Sequence, residues 1–456
     1  MRHPFPQVFA TLLCSASLLP GAVSWDFQAE ELGSHPHMTN TTASINFTRP
    51  LRRSSARPSS LVAMHQRLSK RHYYRINKTI RLGLQTHGCK DPDMPGVQSS
   101  PWTSNLLLSD CLGQGGFGQV WSVCIKSCSI DLGQDRCMAM KLVRRNAKYT
   151  EHRFSQALER ERACLTQFSG GPFIDMYGYS GGEGDIAYFL MEQARGGDAS
   201  KTGALFSIVD GRLMRGGSTL HRKDVAFLLH DLVEGLQRLH SKGVVHRDVK
   251  SSNLFLTNPC GPGTQCRGKL SDFGLACGME SIDNTMLSAA LTKCDDIVGG
   301  GTRSWWSPEH GTDRSPTEKL DIWGAGLVLY QLIFGEWPGI YVRDKGKAAL
   351  ARSIQKFRIA DDQNFKQLNR RAQSLGTTLG SYYTLLGSVL SSMLEFDPNA
   401  RPDSEGLLES ARHLCEVCGV NPHRRHHEGD QGMVACVEES SRGTSIGGSS
   451  ASWPSE

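Results

Sequence analysis

The chain has no apolar run long enough to cross a membrane, since a helical span needs about 20 consecutive apolar residues. Its 48 glycines show no three-residue period, which excludes a collagen-like chain. Acidic residues are missing altogether between Leu32 and Lys90, where eleven lysines and arginines occur. Because the 456-residue chain carries a net charge of only +6, the part outside this basic stretch is net acidic.

The first 24 residues have the pattern of a secretory signal peptide. A short positive start at Arg2 is followed by a mostly apolar stretch from Val8 to Leu19. Small residues at Ala22 and Ser24 then precede a cleavage position before Trp25. About a dozen apolar residues are too few for a membrane anchor, which favours cleavage over a signal anchor or a buried helix.

Residues 25–104 form a basic N-terminal arm and linker, in which 61–84 has the pattern of an amphipathic helix. Apolar residues fall at multiples of four between Met64 and Leu84, while lysines and arginines fill the other faces. Such a helix can lie on an anionic membrane surface or pack on the main domain as a solvated helix. Membrane-surface contact through residues 49–84 is one of these two alternatives, and we expect no nucleic-acid partner.

Two further features fit the secretory route. Asn40, Asn46 and Asn77 each begin a triplet that can accept an N-glycan. Fourteen cysteines are many for a reducing compartment, and Cys14 would leave with the signal peptide, so at least one of the others is unpaired or bonded outside the chain.

Residues 421–456 are rich in His, Ser and Gly and are expected to form a disordered, low-complexity tail.

A glycine-rich turn opens the central region, residues 105–420. Glycines let the backbone approach a polyphosphate closely, and dinucleotide-binding folds share this spacing. In those folds the turn opens directly into a helix, whereas here a strand pattern continues from Val120 to Ile125. This favours two strands that fold over a nucleotide. The expected nucleotide-binding positions in the turn are Leu112, Gly113, Gly115, Gly116, Phe117, Gly118 and Val120.

Lys141 follows in the next strand pattern, within Ala139-Met140-Lys141. A lysine there can neutralise the α- and β-phosphates of a nucleotide if a carboxylate holds it in place. Glu161 is the preferred carboxylate because it lies in a helical run with apolar residues behind it, and Glu159 is the alternative.

The run from His246 to Asn253 carries the most specific chemistry. Asp248 is placed to accept the proton of an attacking hydroxyl, and Lys250 can stabilise a γ-phosphate in transfer. Asn253 and Asp272, the latter in Asp272-Phe273-Gly274, are the expected metal ligands. These residue types together indicate phosphoryl transfer from ATP with Mg²⁺.

These motifs resemble the signature set of the eukaryotic protein kinases, from about Leu107 to Leu414. The resemblance implies an α+β, bilobal kinase fold with a β-rich small lobe, a helical large lobe, and ATP and Mg²⁺ in the cleft between them. Lys250 stands where serine/threonine kinases have lysine, and Thr302 resembles the threonine that bridges Asp248 and Lys250. A protein substrate with a Ser or Thr target is therefore expected.

Other motifs of the family follow in order. Ser307-Pro308-Glu309 and Asp321–Gly326 match two structural motifs of the large lobe, and Arg401 is the expected ion-pair partner of Glu309. Met191-Glu192-Gln193-Ala194 resembles the hinge, whose residues Glu192 and Ala194 would offer backbone hydrogen bonds to adenine, with Asp198 at the ribose. The further nucleotide-binding positions implied are Ala139, Lys141, Met191, Glu192, Ala194, Asp198 and Phe255.

Cysteines flank two insertions in this pattern. We expect disulfides between Cys128 and Cys137 and between Cys260 and Cys266, because an oxidising compartment would allow each turn to be closed in this way. Near the C-terminal end, Cys415 and Cys418 precede several histidines and Cys436. That loose spacing leaves a zinc site open as an alternative to a disulfide or to no bond.

The activation segment, from Asp272 to Glu309, has no hydroxyl between Lys293 and Gly301. Arg247 in this family normally pairs with a phosphate on the segment. We therefore expect the carboxylate of Asp295 or Asp296 to replace that phosphate. The alternative is phosphorylation at Thr285, Ser288 or Thr292.

A signal peptide, a basic arm and cysteine-flanked insertions together resemble the secreted rhoptry kinases of apicomplexan parasites. This resemblance implies a secreted effector in a rhoptry-like organelle, delivered to a host cell or a vacuole membrane, with other lumenal or extracellular kinases as the alternative. A secreted pseudokinase scaffold that binds a partner or a membrane through its arm is the alternative function. The intact Lys141, Asp248, Asn253 and Asp272 argue against it.

Overall fold

A computed structural model describes most of the chain between residues 106 and 422. The signal peptide, the basic arm with its helix at 61–84, and the tail from residue 423 lie outside the described residues, so those predictions stay predictions. Within the described part, residues are omitted at 116–117, 126–136, 146–149, 181–185, 210–211, 215–219, 262–263, 281, 283–284, 298–299, 311–315 and 339–346.

The small lobe is a five-stranded antiparallel sheet with strand order β1-β2-β3-β5-β4. β3 lies between β2 and β5, and its side chains are mostly buried, as its run of Met, Ala, Leu and Val requires. The strands are β1 (Leu106–Gly115), β2 (Gly118–Ile125), β3 (Cys137–Arg144), β4 (Met176–Ser180) and β5 (Ile186–Met191).

One helix, α1 (Glu151–Gln167), packs in the small lobe beside the sheet. Thr150 caps it, because its hydroxyl oxygen accepts a hydrogen bond from the Arg153 amide at 3.3 Å. Phe154, Leu158 and Leu165 recur on its buried face and join the core of the molecule. This helix brings Glu161 toward the cleft.

The large lobe is mainly helical. Its short strands are β6 (Gly197–Asp198), β7 (Ser207–Val209), β8 (Arg212–Met214), β9 (Val244–Val245), β10 (Leu254–Leu256), β11 (Gly268–Leu270) and β12 (Cys277–Gly278). Its helices are α2 (Arg222–His240), α3 (Thr285–Ala290), α4 (Glu318–Phe334), α5 (Lys347–Lys356), α6 (Gln363–Ser374), α7 (Thr377–Met393) and α8 (Ser404–Val417).

Helix α4 is apolar on nearly all sides and lies in the centre of the large lobe, where most of its residues are buried. One continuous core joins α4 to α2, α8 and the buried face of α1, so the two lobes share a packed interior. In the part of the chain that the structure describes, no helix has the length and apolar character to cross a membrane. The α+β bilobal fold predicted from the motifs is confirmed.

The disulfide prediction is correct in one case and wrong in the other. Cys260 and Cys266 are bonded, as expected. Cys137 bonds to Cys124 rather than to Cys128, because the antiparallel register of β2 and β3 places Cys124 directly opposite Cys137. Cys128 lies outside the described residues.

A third disulfide, between Cys277 and Cys294, is one that the sequence did not lead us to expect. Cys415 and Cys418 are free thiols. Burial raises the pKa of Cys415 to about 12 and that of Cys418 to about 11. The histidines of the zinc alternative lie outside the described residues.

Candidate active site

The side chains of two residues, Lys250 and Thr302, from separate segments of the chain, contact the carboxylate of Asp248. Lys250 Nζ lies 2.6 Å from Asp248 Oδ2 and 2.9 Å from the Thr302 hydroxyl. Thr302 in turn donates to Asp248 Oδ1 from its amide at 2.9 Å and from its hydroxyl at 2.8 Å. All three groups are buried, so the carboxylate is held in one orientation by short, charge-assisted hydrogen bonds. The predicted bridge by Thr302 is confirmed.

The backbone before Asp248 is held by the side chain of Asp321 in α4. The two oxygens of this buried carboxylate accept hydrogen bonds from the backbone amides of His246 and Arg247, each at 2.8 Å. Arg247 has a φ of 66°, a left-handed conformation that a side chain other than glycine adopts at a cost. The buried helix therefore stabilises a strained loop and thereby positions Asp248.

Asn253 is oriented by the same loop. Its side-chain amide nitrogen donates to the carbonyl of Asp248 at 2.9 Å, so its amide oxygen is turned away from that carbonyl. Asp272, the other predicted metal ligand, also has a left-handed φ, of 70°. An amide oxygen and a carboxylate are both hard oxygen ligands of the type that Mg²⁺ binds.

Lys141 links the two lobes across the cleft. Its ammonium group forms an ion pair with Glu161 of α1, and it lies 3.0 Å from Asp272 Oδ1. Burial by itself would lower the pKa of Lys141, but the two carboxylates outweigh burial and raise it above the ordinary value. The alternative partner, Glu159, pairs with Arg162 on the exposed side of the helix instead. The choice of Glu161 is confirmed.

The pKa of Asp272 is lowered to about 2. Burial would raise it, but the positive charges of Lys141 and Lys250 outweigh that effect and favour the carboxylate. Asp272 therefore remains a charged oxygen donor over the whole physiological pH range. Its neighbour Phe273 is fully buried, with ring centroids 5.2 Å from His246 and 6.0 Å from Phe173, and this packing holds Asp272 in the cleft.

A family model described as the protein kinase domain matches residues 107–411. The chain belongs to the protein kinase family. The expected ion pair of the family is present, since Arg401 donates to the two carboxylate oxygens of Glu309 from its two Nη nitrogens, at 2.5 and 2.8 Å.

Among curated proteins, the chain is similar to kinases from a yeast, from human and from a bacterium. It is 31% identical to the serine/threonine-protein kinase shk1/pak1 of Schizosaccharomyces pombe over 52% of this chain and 28% of that protein. It is 28% identical to human ribosomal protein S6 kinase alpha-6 over 67% and 34%, and 25% identical to the serine/threonine-protein kinase PkaA of Streptomyces coelicolor over 70% and 52%. The chain thus spans between about a quarter and half of these relatives. Two of these relatives are named serine/threonine-protein kinases.

The strands of the kinase cleft bring the predicted nucleotide-binding residues together. Ala139 of β3 is paired with Met191 of β5, and Phe255 of β10 is paired with Asp198 of β6. Leu112 is 41% exposed, as expected for a residue over an open cleft. Gly113, Gly115, Gly118 and Val120 lie on the paired β1 and β2. Gly116 and Phe117 lie outside the described residues.

Gly118 is required by its close approach to β3. A Cβ at this position would lie 1.8 Å from the carbonyl oxygen of Leu142, which no side chain could tolerate. Glycine therefore lets the β1–β2 hairpin pack tightly on the neighbouring strand. This observation gives the glycine-rich turn a structural basis, in addition to its approach to a polyphosphate.

The hinge contains a buried ionic cluster that sequence reasoning missed. Lys269 of β11 is fully buried and lies 2.6 Å from Glu192 Oε2 and 3.2 Å from Asp175 Oδ2. The Glu192 amide also donates to the Asp175 carbonyl at 2.8 Å, so its own carbonyl is the backbone group that it can offer to adenine, beside Ala194. No motif marks Lys269, because its role depends on which carboxylates the fold places around it.

The prediction for Asp295 and Asp296 is wrong. Both side chains are exposed, whereas the charges of Arg160, Asp321 and Asp248 act on Arg247. Burial and the neighbouring Arg160 lower the pKa of Arg247 to about 10. Arg160, buried on α1 next to Glu161, is a second residue that sequence reasoning missed.

His310 gives the kinase domain an acid-sensitive contact. Its Nε2 lies 2.6 Å from the Gly300 carbonyl and its ring stacks on Trp306. Burial lowers its pKa to about 4, although that hydrogen bond acts in the opposite direction. Since the folded pKa lies below the ordinary value, the contribution of neutral His310 to stability is complete above about pH 6.5 and is lost as the pH falls toward 4.

We therefore expect His310→Gln to make folding less dependent on pH, because glutamine can donate to the same carbonyl but does not titrate. Between pH 7 and pH 4.5 the free energy of unfolding of the parent should fall by about 2 kcal/mol more than that of the variant. Urea unfolding at the two pH values measures this difference. Equal losses in both proteins would show that His310 is not responsible.

Proposed function

We propose that this chain is a Mg²⁺-ATP-dependent serine/threonine protein kinase that transfers the γ-phosphate of ATP to protein hydroxyl groups, with Asp248 as the base. The observation that carries the proposal is the simultaneous assembly of two clusters. Lys141 contacts both Glu161 and Asp272, while Asp248 is bound to Lys250 and Thr302. A protein kinase is competent only when its Lys–Glu pair and its metal-binding aspartate are both in place.

The residues present fit the nucleotide and the cation. Asn253 and Asp272 would hold Mg²⁺ through the oriented amide oxygen and the ionised carboxylate, and Lys141 would bind phosphate oxygens beside them. When bound, ATP supplies the γ-phosphoryl group and Mg²⁺ offsets its negative charge. Ala139, Met191 and Phe255, which lie on paired strands, would provide an apolar lining for the base, and Asp198 would provide a polar group for the ribose.

The proton transfer falls to Asp248. Its carboxylate is fixed by Lys250 and Thr302, so a substrate hydroxyl placed beside it meets an acceptor that does not need to reorient. Lys250 carries a positive charge next to that acceptor and can offset charge on the phosphoryl oxygens in the transition state. No further side chain is needed to define the reaction class.

The compartment is part of the same proposal, which places the kinase in the secretory pathway as a secreted effector of the rhoptry type. Its support is the signal-peptide pattern of residues 1–24 together with three disulfides among the described residues. Disulfides form and persist in oxidising compartments and are rare in the cytosol. The basic segment 49–84 would then contact an anionic membrane at the destination.

One expression experiment tests both parts. The full chain and Lys141→Ala are produced in cultured eukaryotic cells, and the protein recovered from the medium is incubated with Mg²⁺, labelled ATP and a generic basic protein. We expect the secreted parent to begin at Trp25 and to label serine or threonine, and the variant to be secreted equally but to transfer at least about 100-fold less phosphate.

The outcomes separate the two parts. A chain retained inside the cells with Met1 intact would overturn the secretory assignment and leave the kinase assignment to the same assay on cell extract. A secreted parent no more active than Lys141→Ala would overturn the kinase assignment and favour the scaffold alternative. Labelling of tyrosine alone would overturn the serine/threonine assignment.

A further inference from the structure

The activation segment is fastened by the buried disulfide between Cys277 and Cys294. Cys277 lies in β12 and pairs with Val245 of β9, the residue directly before His246. Its partner Cys294 packs with Val245 and Ile297 in a small apolar cluster of its own. The bond therefore joins the middle of the activation segment to β12, the strand that pairs with β9 directly before the catalytic loop.

Thr292 extends this attachment. Its carbonyl accepts a hydrogen bond from the Gly278 amide at 3.0 Å, next to the disulfide. Its hydroxyl lies 2.9 Å from an Nη nitrogen of Arg160, whose other Nη donates to the Gly274 carbonyl at 3.1 Å. Arg160 is thus held at two points, and one of them lies two residues from Cys294.

The contacts of Arg160 with the activation segment also fix the position of Glu161 in the cleft, because Arg160 directly precedes Glu161 in α1. Any rotation or withdrawal of α1 that removes Glu161 from Lys141 must also break the bonds of Arg160 to Gly274 and Thr292. Helix α3 of the activation segment packs on α1 as well, with Leu287 buried in the core that contains Phe154 and Leu158.

We infer that the Cys277–Cys294 disulfide is a covalent positioning device that, through Thr292 and Arg160, holds α1 where Glu161 binds Lys141. The disulfide thus holds the activation segment, which we expected Asp295 or Asp296 to do by pairing with Arg247. Both of these side chains are exposed to solvent. A disulfide limits the conformations open to the 16 residues between its cysteines, whereas single hydrogen bonds can open locally. The inference rests on the proposed kinase function, because its effect appears as catalytic rate.

The test compares two matched disulfide variants of the full chain, the double variant Cys277→Ala/Cys294→Ala and the double variant Cys260→Ala/Cys266→Ala. The second removes a bond that closes a turn outside the activation segment. We expect the first to lower kcat about tenfold or more with a change in KM for ATP of about threefold or less, because the nucleotide-binding residues remain in place. The second should stay within about twofold of the parent.

Arg160→Ala gives an independent arm, because it leaves the disulfide intact. We expect it to lower kcat by a similar factor and, combined with the Cys277→Ala/Cys294→Ala pair, to cause little further loss. Multiplication of the two losses in the combined variant would overturn the inference, since residues that act along one path are not additive. Full activity of Arg160→Ala would overturn it as well.

Hydrogen–deuterium exchange supplies a readout that does not depend on activity. Loss of the Cys277–Cys294 bond should speed exchange in residues 151–167 and 285–297, and leave helix α4 at the rate of the parent. Unchanged exchange in residues 151–167 would overturn the inference. If the parent is inactive but exchange responds as expected, the proposed function fails while the positioning device stands. If the parent is active but the Cys277→Ala/Cys294→Ala variant keeps the exchange and the rate of the parent, the proposed function stands and the positioning device fails.

Discussion

Asp248→Asn is expected to lower kcat on the order of 10³-fold while leaving the affinity for nucleotide nearly unchanged. The carboxylate is the acceptor for the hydroxyl proton, and asparagine of the same size cannot take a proton at neutral pH. The substitution also places an amide nitrogen among the donors Lys250 Nζ and the Thr302 amide and hydroxyl. The loss should therefore fall on the chemical step.

Steady-state phosphate transfer with saturating ATP measures this loss, and the binding of a fluorescent ATP analogue checks that the site is intact. Asp295→Asn is the matched control, because it makes the same chemical change at an exposed position of the activation segment. The control should retain the rate of the parent. A rate for Asp248→Asn above about a tenth of the parent would mean that another group takes the proton.

Asp321→Asn is expected to reduce both stability and rate, although residue 321 is buried in α4 and contacts no nucleotide-binding residue described above. Its carboxylate accepts from the His246 and Arg247 amides and lies 2.9 Å from His240 Nε2. Asparagine has an NH2 group in place of one carboxylate oxygen. This donor then faces at least one of the three donors in a buried site. The cost is on the order of 3 kcal/mol of unfolding free energy.

The rate should fall because Arg247 then lacks part of the support for its left-handed backbone, with φ at 66°. A loop that relaxes toward ordinary φ moves Asp248, and displacement of a catalytic group by about 1 Å can cost on the order of 100-fold in rate. Denaturant unfolding and kcat are measured together, with Glu318→Gln on the same helix as the control. A destabilised variant with an unchanged kcat would show that Asp321 supports the fold alone.

The predictions that the structure confirms share one property. The Lys141–Glu161 ion pair follows from chemistry that needs particular functional groups at particular intervals, and the contact of Thr302 with Asp248 and the ion pair of Arg401 with Glu309 follow from the family motifs. The Cys260–Cys266 bond could also be predicted from the sequence, because a short loop leaves its two cysteines few other partners. Local spacing carries enough information in each of these cases.

The wrong predictions concern distances that local spacing does not define. Cys137 bonds to Cys124 because the β2–β3 register places them opposite each other, and a register is decided by the pairing of whole strands. Asp295 and Asp296 were matched to Arg247 because they carry negative charge in a stretch without hydroxyl groups. The fold turns both carboxylates to solvent and places Arg160 beside Arg247 instead.

The sequence by itself therefore determined the family and the residues that meet in the two clusters of the cleft, because motif chemistry is encoded in residue identity and order. Only the tertiary structure decided how the active arrangement is held: the bond of Cys277 to Cys294, the position of Arg160 between Gly274 and Thr292, and the burial of Lys269 between two carboxylates. The physical reason is that ion pairs, hydrogen bonds and disulfides act over a few ångströms between residues far apart in the chain. Their partners exist only once the core has packed.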